Sequence, residues 1–152
     1  MRHLAEADRV PANTALEINQ QTDTNSRQRL REAASLSPQD LTSRLEELNA
    51  EWDFERTLEL EAAATGLAAV ALAWTIRGKA LWLPGFVSGM LLLHAVTGWY
   101  PMLPLFRRWG IRTQMEIDRE RYAVKALRGD FDDLVGDTAG ERARAAWRAV
   151  HG

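Results

Sequence analysis

The chain has 152 residues, of which 26% are charged, and its formal net charge is -2. This length predicts one domain at most, and the averages alone would suit an ordinary soluble helical protein. There is no cysteine, and the three histidines stand at positions 3, 94 and 151, so a metal cluster or thiol catalysis is hard to build. No phosphate-binding glycine loop or serine-nucleophile elbow is present either. We therefore expect no enzyme, no cofactor, no metal and no nucleic-acid partner.

Charge is distributed unevenly along the chain. Residues 1–61 contain 13 acidic side chains against 7 arginines, and residues 101–152 contain 10 basic against 8 acidic ones. Between them, across residues 62–100, only Arg77 and Lys79 are charged. A soluble helix keeps a polar face at the helical period, and this stretch has none. The pattern indicates an apolar environment on all sides.

The N-terminal region, residues 1–57, is polar and is expected to be helical. Ser37 is a candidate N-cap, with Pro38 at the first helical position and Asp40 three residues after the cap. An apolar stripe follows at spacings of four, three and four residues, formed by Leu41, Leu45, Leu48 and Trp52. The stripe either lies on a membrane surface or pairs with another helix. Because the opposite face is acidic, helix pairing is favoured.

Two apolar segments make up a predicted transmembrane hairpin over residues 58–106, with spans at about 58–76 and 80–100. A bilayer-spanning helix needs roughly 17–25 predominantly apolar residues, which the second segment provides by itself. The first reaches that length only with Glu59 and Glu61 near its end. The intervening Arg-Gly-Lys at 77–79 is long enough for a tight turn.

Two features inside the second span are candidates for function. Gly85, Ser88 and Gly89 form a small helix face that would let backbones approach closely, either between two copies of the chain or against the first span. His94 lies across the helix from that face. An ionisable group inside a span suggests a proton or anion site, and the alternative is an uncharged imidazole bonded to a backbone carbonyl or to Thr97. The alternative is favoured.

Aromatic and basic residues cluster near the ends of both spans, where amphipathic rings and arginines meet lipid headgroups. The predicted interface anchors are Trp74, Trp82, Trp99, Tyr100, Arg107, Arg108 and Trp109. Pro101 and Pro104 are expected to end the second helix. Seven basic residues flank the hairpin on the side of the termini and two lie in the loop, which favours cytoplasmic termini.

After the hairpin, residues 107–130 are expected to contain a cytoplasmic helix and residues 131–152 a flexible or short-helical tail. Thr113 and Glu116 form a capping-box pattern, and Arg128 followed by Gly129 is a stop signal, so the helix is predicted over Gln114–Arg128. In the tail, Thr138 and Glu141 repeat the start pattern.

Several stretches together resemble the YgaP-like inner-membrane domain family, a bacterial domain of unknown function built as a two-helix membrane hairpin. They are RVPANTA near the start, EWDFERTLELEAAATGLAAVALA, HAVTGWYPMLPLFRRWGIRT and IDRERYAVKALRGDF. Family members often have Gly-Trp-Cys-Pro where this chain has Gly98-Trp99-Tyr100-Pro101. In some relatives the hairpin is fused to a rhodanese domain and is thought to dimerise and to pass thiocyanate. Neither that domain nor the cysteine is present here.

The sequence therefore predicts an all-α protein with a two-helix transmembrane hairpin and amphipathic helical flanks. We expect it to lie in the bacterial inner membrane with both termini cytoplasmic, in contact with the lipid bilayer, and to form a homo-oligomer as a self-assembling or scaffold module. One alternative is an oligomeric conduit for a small anion, lined by His94 and the arginines after Pro101. The other is a soluble helical bundle.

Overall fold

A computed structural model describes residues 8–75 and 82–151. Within these ranges all regular structure is helical and no strand occurs, which confirms the all-α fold class. A 3-10 turn at Pro11–Asn13 precedes the α-helices, which are α1 (Leu16–Ala33), α2 (Pro38–Ala50), α3 (Phe54–Thr75), α4 (Trp82–Thr97), α5 (Leu103–Arg108), α6 (Gln114–Arg128) and α7 (Ala139–His151). The predicted turn at residues 77–79 lies outside the described residues.

The described chain forms two compact units. The hairpin unit contains the described residues up to Thr22 together with Trp52–Gln114. The flanking unit contains Asp23–Glu51 and the described residues from Met115 onward. Each unit therefore contains residues from before and from after the two apolar segments. The regions predicted from the sequence, in contrast, are consecutive stretches of the chain.

The hairpin unit is built around the packed pair of α3 and α4. Helix α3 begins at Phe54 because the Asp53 carboxylate accepts a hydrogen bond of 2.7 Å from the Arg56 backbone amide, an N-cap that the sequence analysis did not identify. The start of α3 contributes to an apolar core made of Val10, Phe54, Leu58, Tyr100, Leu103 and Phe106. Phe54 and Leu58, in the otherwise polar first turns of α3, therefore pack in the same core as the segment that follows α4.

Helix α4 ends at Thr97, three residues before the expected end of the second span at Tyr100. The reason is Gly98, which has a φ of 75° and whose amide donates to the His94 carbonyl at 2.7 Å. This left-handed glycine cap stops the helix before Pro101 and Pro104 are reached. Pro104 instead lies in the first turn of the short helix α5.

In the flanking unit, α2 starts as predicted. The Ser37 hydroxyl accepts a hydrogen bond from the Asp40 amide, and Pro38 is the first helical residue. The predicted stripe on α2 is buried through its first three leucines, in a core that consists of Ala33, Leu41, Leu45, Leu48, Ile117 and Val124. Two of these residues belong to α6, so the preference for helix pairing is confirmed. Trp52 lies outside α2 and is half exposed, with the Arg56 guanidinium 4.2 Å from its ring centroid.

The ends of α6 and α7 also follow the sequence. Helix α6 covers Gln114–Arg128, and Gly129, with a φ of 88°, donates to the Ala126 carbonyl while Asp130 donates to that of Lys125. This pair of bonds is a Schellman motif, which satisfies carbonyls that a helix end leaves free. At the start of α7 the Thr138 hydroxyl accepts from the Glu141 amide and the Glu141 carboxylate accepts from the Thr138 amide. The predicted capping box of the tail is therefore present.

Helix length and composition bear on the expected membrane spans. Within the described residues, one stretch, Pro38–Thr75, is long and apolar enough to cross a membrane, and its apolar part lies in α3. Helix α4 is more apolar but has 16 residues, which is shorter than a typical span. The described residues are thus all-helical, with one helix that is long and apolar enough to be a candidate membrane span.

Candidate functional site

His94 lies on the face of α4 that packs inside the hairpin unit. Its side chain is buried, with 7% of the residue exposed, against the rings of Phe54 at 5.6 Å and Tyr100 at 6.3 Å between centroids. Nε2 lies 3.2 Å from a carboxylate oxygen of Glu55 in the first turn of α3. The imidazole thus pairs with Glu55 and not with Thr97, whose hydroxyl donates to the Leu93 carbonyl. In the described part of the chain, Nδ1 of His94 has no hydrogen-bond partner.

A second carboxylate of α3, two turns further on, also meets the segment after α4. The Tyr100 hydroxyl donates to Glu61 Oε2 at 2.6 Å, and the Thr65 hydroxyl donates to Oε1 at 3.1 Å. The phenol is buried, so Tyr100 is bonded inside the unit and does not occupy the exposed position expected of an interface anchor. Glu55 of α3 therefore contacts His94 in the last turns of α4, and Glu61 accepts a hydrogen bond from Tyr100 after it.

Glu61 stands at one end of an apolar groove between α3 and α4. The groove has a volume of about 420 Å³, and its side walls include Ala68, Ala69, Phe86 and Met90. Leu72 and Leu83 line the end nearer the C-terminus of α3 and the N-terminus of α4, whereas Tyr100, Pro101 and Met102 line the end where Glu61 lies. The groove is therefore apolar along its length and polar at one end.

The N-terminal segment caps the last turn of α4. Nη1 of Arg9 donates to the Val96 carbonyl at 2.8 Å, and Nδ2 of Asn13 donates to the Thr97 carbonyl at 2.9 Å. These carbonyls belong to the last turn of a helix, where no intrahelical donor is left. A Cβ built on Gly98 would lie 2.4 Å from that of Arg9, so the segment approaches the glycine closely. The stretch RVPANTA therefore has a local structural role that periodicity did not reveal.

The arginines after α4 differ in where the structure places them. Arg107 is buried, with 2% exposed, and its guanidinium donates to the Ile111 carbonyl and to Asn19 Oδ1, each at 3.1 Å. Arg112 is buried as well, while Arg108 is exposed. Of the two arginines expected to reach lipid phosphates, Arg107 is turned into the protein and only Arg108 points outward. The sequence cannot distinguish these neighbours, because they differ only in their position on the short helix α5.

The predicted tryptophan anchors are all exposed to at least two fifths of their surface. Trp74 is the most exposed of the set, which also includes Trp82, Trp99 and Trp109. The ring centroid of Trp109 lies 6.2 Å from that of Phe106, so the indole packs against one residue of the core. These exposed rings lie near the C-terminal end of α3, at the first residue of α4, and after α4 and α5.

The small face of α4 is open. Gly85, Ser88 and Gly89 are exposed, and a Cβ placed on either glycine would meet no atom of the neighbouring described residues within 4 Å. The glycines therefore do not serve the packing of α4 against α3 within this chain. Of the two roles left open by the sequence, the contact with the first span is not made by these residues.

The flanking unit contains a buried carboxylate with two arginines. Glu120 on α6 accepts from Arg29 at 3.0 Å and from Arg44 at 2.6 Å, and its side chain is 1% exposed. Burial lowers the pKa of Arg44, but the hydrogen bonds and charges of Glu120 and Glu47 outweigh that effect and raise the pKa above its ordinary value. Arg44 thus stays charged at every accessible pH, and the cluster links α1, α2 and α6 within the unit.

Comparison with known proteins adds no assignment. The chain matches no family profile, no curated protein and no solved structure. Among the described residues no group of three or more metal-ligating side chains comes together. The candidate site is therefore defined by geometry alone: the contacts of His94 and Glu61, the groove beside them and the open glycine face.

Proposed function

We propose that this chain is a two-pass integral protein of the bacterial inner membrane, in which α3 and α4 form a transmembrane hairpin. The observation that carries the proposal is the outward surface of the helix pair. Leu67 on α3 is 72% exposed and Leu92 on α4 is 68% exposed, and further large apolar side chains lie exposed beside them, namely Leu60, Val70, Leu72, Phe86 and Val96. Large apolar side chains exposed in this number on two helices need lipid or a protein partner.

Both termini are proposed to be cytoplasmic, because basic residues outnumber those of the loop by seven to two on the side of the termini. Arg108, the last residue of α5, and Trp109 directly after it are exposed and available to headgroups. Residues 77–79 would then face the periplasm. The polar flanking unit, with its own core and buried ion pairs, would remain in the cytoplasm.

Within the membrane, we propose that the hairpin self-associates through Gly85, Ser88 and Gly89. The open space over both glycines supports this contact, since close backbone approach between helices needs a face without side chains. The flanking unit would then be presented in two or more copies, as expected of a scaffold module. The YgaP-like resemblance, with its two-helix membrane hairpin, agrees with this proposal, although Tyr100 stands where relatives often have cysteine.

A second candidate function is an anion conduit, which one observation favours. Nδ1 of the buried His94 has no hydrogen-bond partner among the described residues, so it could bind a small anion when protonated. Arg107 and Arg112, which would share such a path, are buried in the same unit.

The membrane proposal is tested by fractionation followed by crosslinking of the full chain. We expect the protein to stay with membranes after an alkaline carbonate wash and to yield a crosslinked dimer there. Reporter fusions at Gly152 and within residues 77–79 should give opposite locations. Recovery in the soluble fraction would instead support the helical bundle, and a periplasmic signal from Gly152 would overturn the orientation.

A further inference from the structure

The groove between α3 and α4 has the dimensions of a binding site. Its volume of about 420 Å³ lies within the range of roughly 300–1,000 Å³ that is typical of small-molecule pockets. From Glu61 to Leu72 the groove follows eleven residues of α3, which at 1.5 Å per residue is about 16 Å. A groove of this length with apolar walls suits an extended alkyl chain better than a compact ligand.

The polar end of the groove contains the Glu61 carboxylate, which has no matching cation among the described residues. Glu61 accepts hydrogen bonds from Tyr100 and Thr65, which are neutral. In the part of the chain that the structure describes, no lysine or arginine pairs with this carboxylate. A carboxylate offers about four lone-pair positions, so the two hydroxyl contacts leave room for further donors.

A charged group beside apolar walls is costly unless an opposite charge is near. The two neutral hydroxyls orient the carboxylate but do not neutralise it. An ammonium group would supply the missing charge and up to three N–H donors. The groove would at the same time bury the apolar part of the same molecule. Charge and shape therefore select one chemical class, an amphiphile with an ammonium head and an alkyl chain.

We propose that this groove binds a membrane lipid with an ammonium headgroup, whose ammonium pairs with Glu61 and whose acyl chain lies between α3 and α4. The inference rests on the proposed membrane location, which places the groove where lipid is the available amphiphile. It does not depend on self-association, because the groove lies between the helices of one chain and the glycine face is open on another side of α4.

The test uses the full chain in a sugar detergent and native mass spectrometry of bound lipid. Two probes with the same acyl chains are compared, phosphatidylethanolamine with an ammonium and phosphatidylglycerol without one. We expect the wild-type chain to retain phosphatidylethanolamine in preference. Glu61→Gln should reduce that affinity by about tenfold, since a hydrogen bond to a charged group is lost. Glu59→Gln, which removes an exposed carboxylate two residues away, should leave it unchanged.

A second pair of variants tests the apolar part of the groove. Ala68→Trp fills the groove and should reduce binding of the same lipid, whereas Ala64→Trp, at an exposed position outside the lining, should not. Equal retention by the Glu61→Gln and wild-type chains, or equal retention of the two lipids, would overturn the proposal. Glu61-dependent binding of dodecylammonium without binding of phosphatidylethanolamine would overturn the lipid as its source. Membrane fractionation of the same preparations reports separately on the membrane location.

Discussion

Nε2 of His94 lies 3.2 Å from a carboxylate oxygen of Glu55, so a buried imidazole near the end of α4 is paired with the first turn of α3. The two residues are 39 positions apart in the chain. Glu55 is more than half exposed, whereas the imidazole is enclosed by Phe54 and Tyr100. The contact therefore joins an exposed carboxylate to a buried ring. Removing the Glu55 carboxylate and removing the His94 ring should change the free energy of unfolding by different amounts.

We predict that Glu55→Gln destabilises the hairpin unit by about 0.6 kcal/mol, the average for a side-chain hydrogen bond between membrane helices. His94→Ala should cost more, on the order of 2 kcal/mol, because the ring packing against Phe54 and Tyr100 is lost together with the hydrogen bond. Denaturant titration in detergent measures both changes. Equal losses would mean that the ring contributes no packing.

The same His94→Ala variant separates the two candidate functions. In proteoliposomes we expect no change in anion flux, because the imidazole is enclosed within one hairpin and paired with Glu55. Loss of a pH-dependent flux in the variant, with the crosslinked dimer intact, would contradict this and support the conduit.

Local signals in the sequence were sufficient for much of the fold. The Ser37 cap, the leucine stripe of α2, the bounds of α6 and the capping box of α7 all depend on residues within a few positions of one another, and each is found in the structure. Such patterns can be read because hydrogen bonding at helix ends and the helical period are local properties.

The candidate site could be predicted only in part, because its contacts join distant residues. His94 was identified as an unusual ionisable group, but its partner Glu55 has no spacing pattern that connects the two. Glu61 was interpreted as a polar residue near a span end, and its hydrogen bond to Tyr100 depends on how α3 and α4 pack. The groove likewise follows from the packing of the two helices and not from any short motif.

Gly98 allows a third prediction, with Gly110 as a matched control. Both glycines have left-handed φ values, 75° and 82°, in which an L-residue costs roughly 1–2 kcal/mol. At Gly98 an added Cβ would also lie 2.4 Å from Cβ of Arg9, while at Gly110 it would meet no atom of the described residues within 4 Å. Gly98→Ala should therefore cost about 2–5 kcal/mol when overpacking is included, and Gly110→Ala only the backbone contribution.

Hydrogen exchange of the last turn of α4 measures this difference locally. In Gly98→Ala we expect much faster exchange, because Arg9 and Asn13 can no longer stay on the Val96 and Thr97 carbonyls. Similar exchange in both alanine variants would show that the close approach of the N-terminal segment is not maintained.

Asp130 allows a prediction of pH dependence in the flanking unit. Two hydrogen bonds of 2.7 Å from the Arg128 guanidinium lower the pKa of Asp130 below its ordinary value of 3.8. As pH falls, the unfolded chain binds this proton first, so the stabilisation is fully present above the ordinary pKa and is lost as pH falls through the lower folded value. Asp130→Asn should cost about 1.5–3 kcal/mol at neutral pH, the typical loss for hydrogen bonds to a charged group.

Denaturation of the full chain at pH 7 and at pH 2 measures this effect. The difference in unfolding free energy between wild type and Asp130→Asn should shrink at the lower pH. Asp133→Asn, at an exposed carboxylate in the same loop, serves as the control and should change little. A difference between Asp130→Asn and wild type that is the same at both pH values would show that the ion pair is not its source.

The last prediction concerns self-association. Gly85→Leu combined with Gly89→Leu should reduce the crosslinked dimer strongly, because two leucines would hold the helix backbones apart on the face that the structure leaves open. Since a Cβ added at either glycine meets no side chain of the described residues within 4 Å, the double variant should keep the packing of α3 against α4. Unchanged hydrogen exchange of α4 checks that point.

Ala63→Leu, at an exposed position of α3, is the control for added apolar bulk. If the dimer survives in the double variant at the wild-type yield, another surface must hold the copies together. The face between Gly85 and Gly89 would then have no role in assembly.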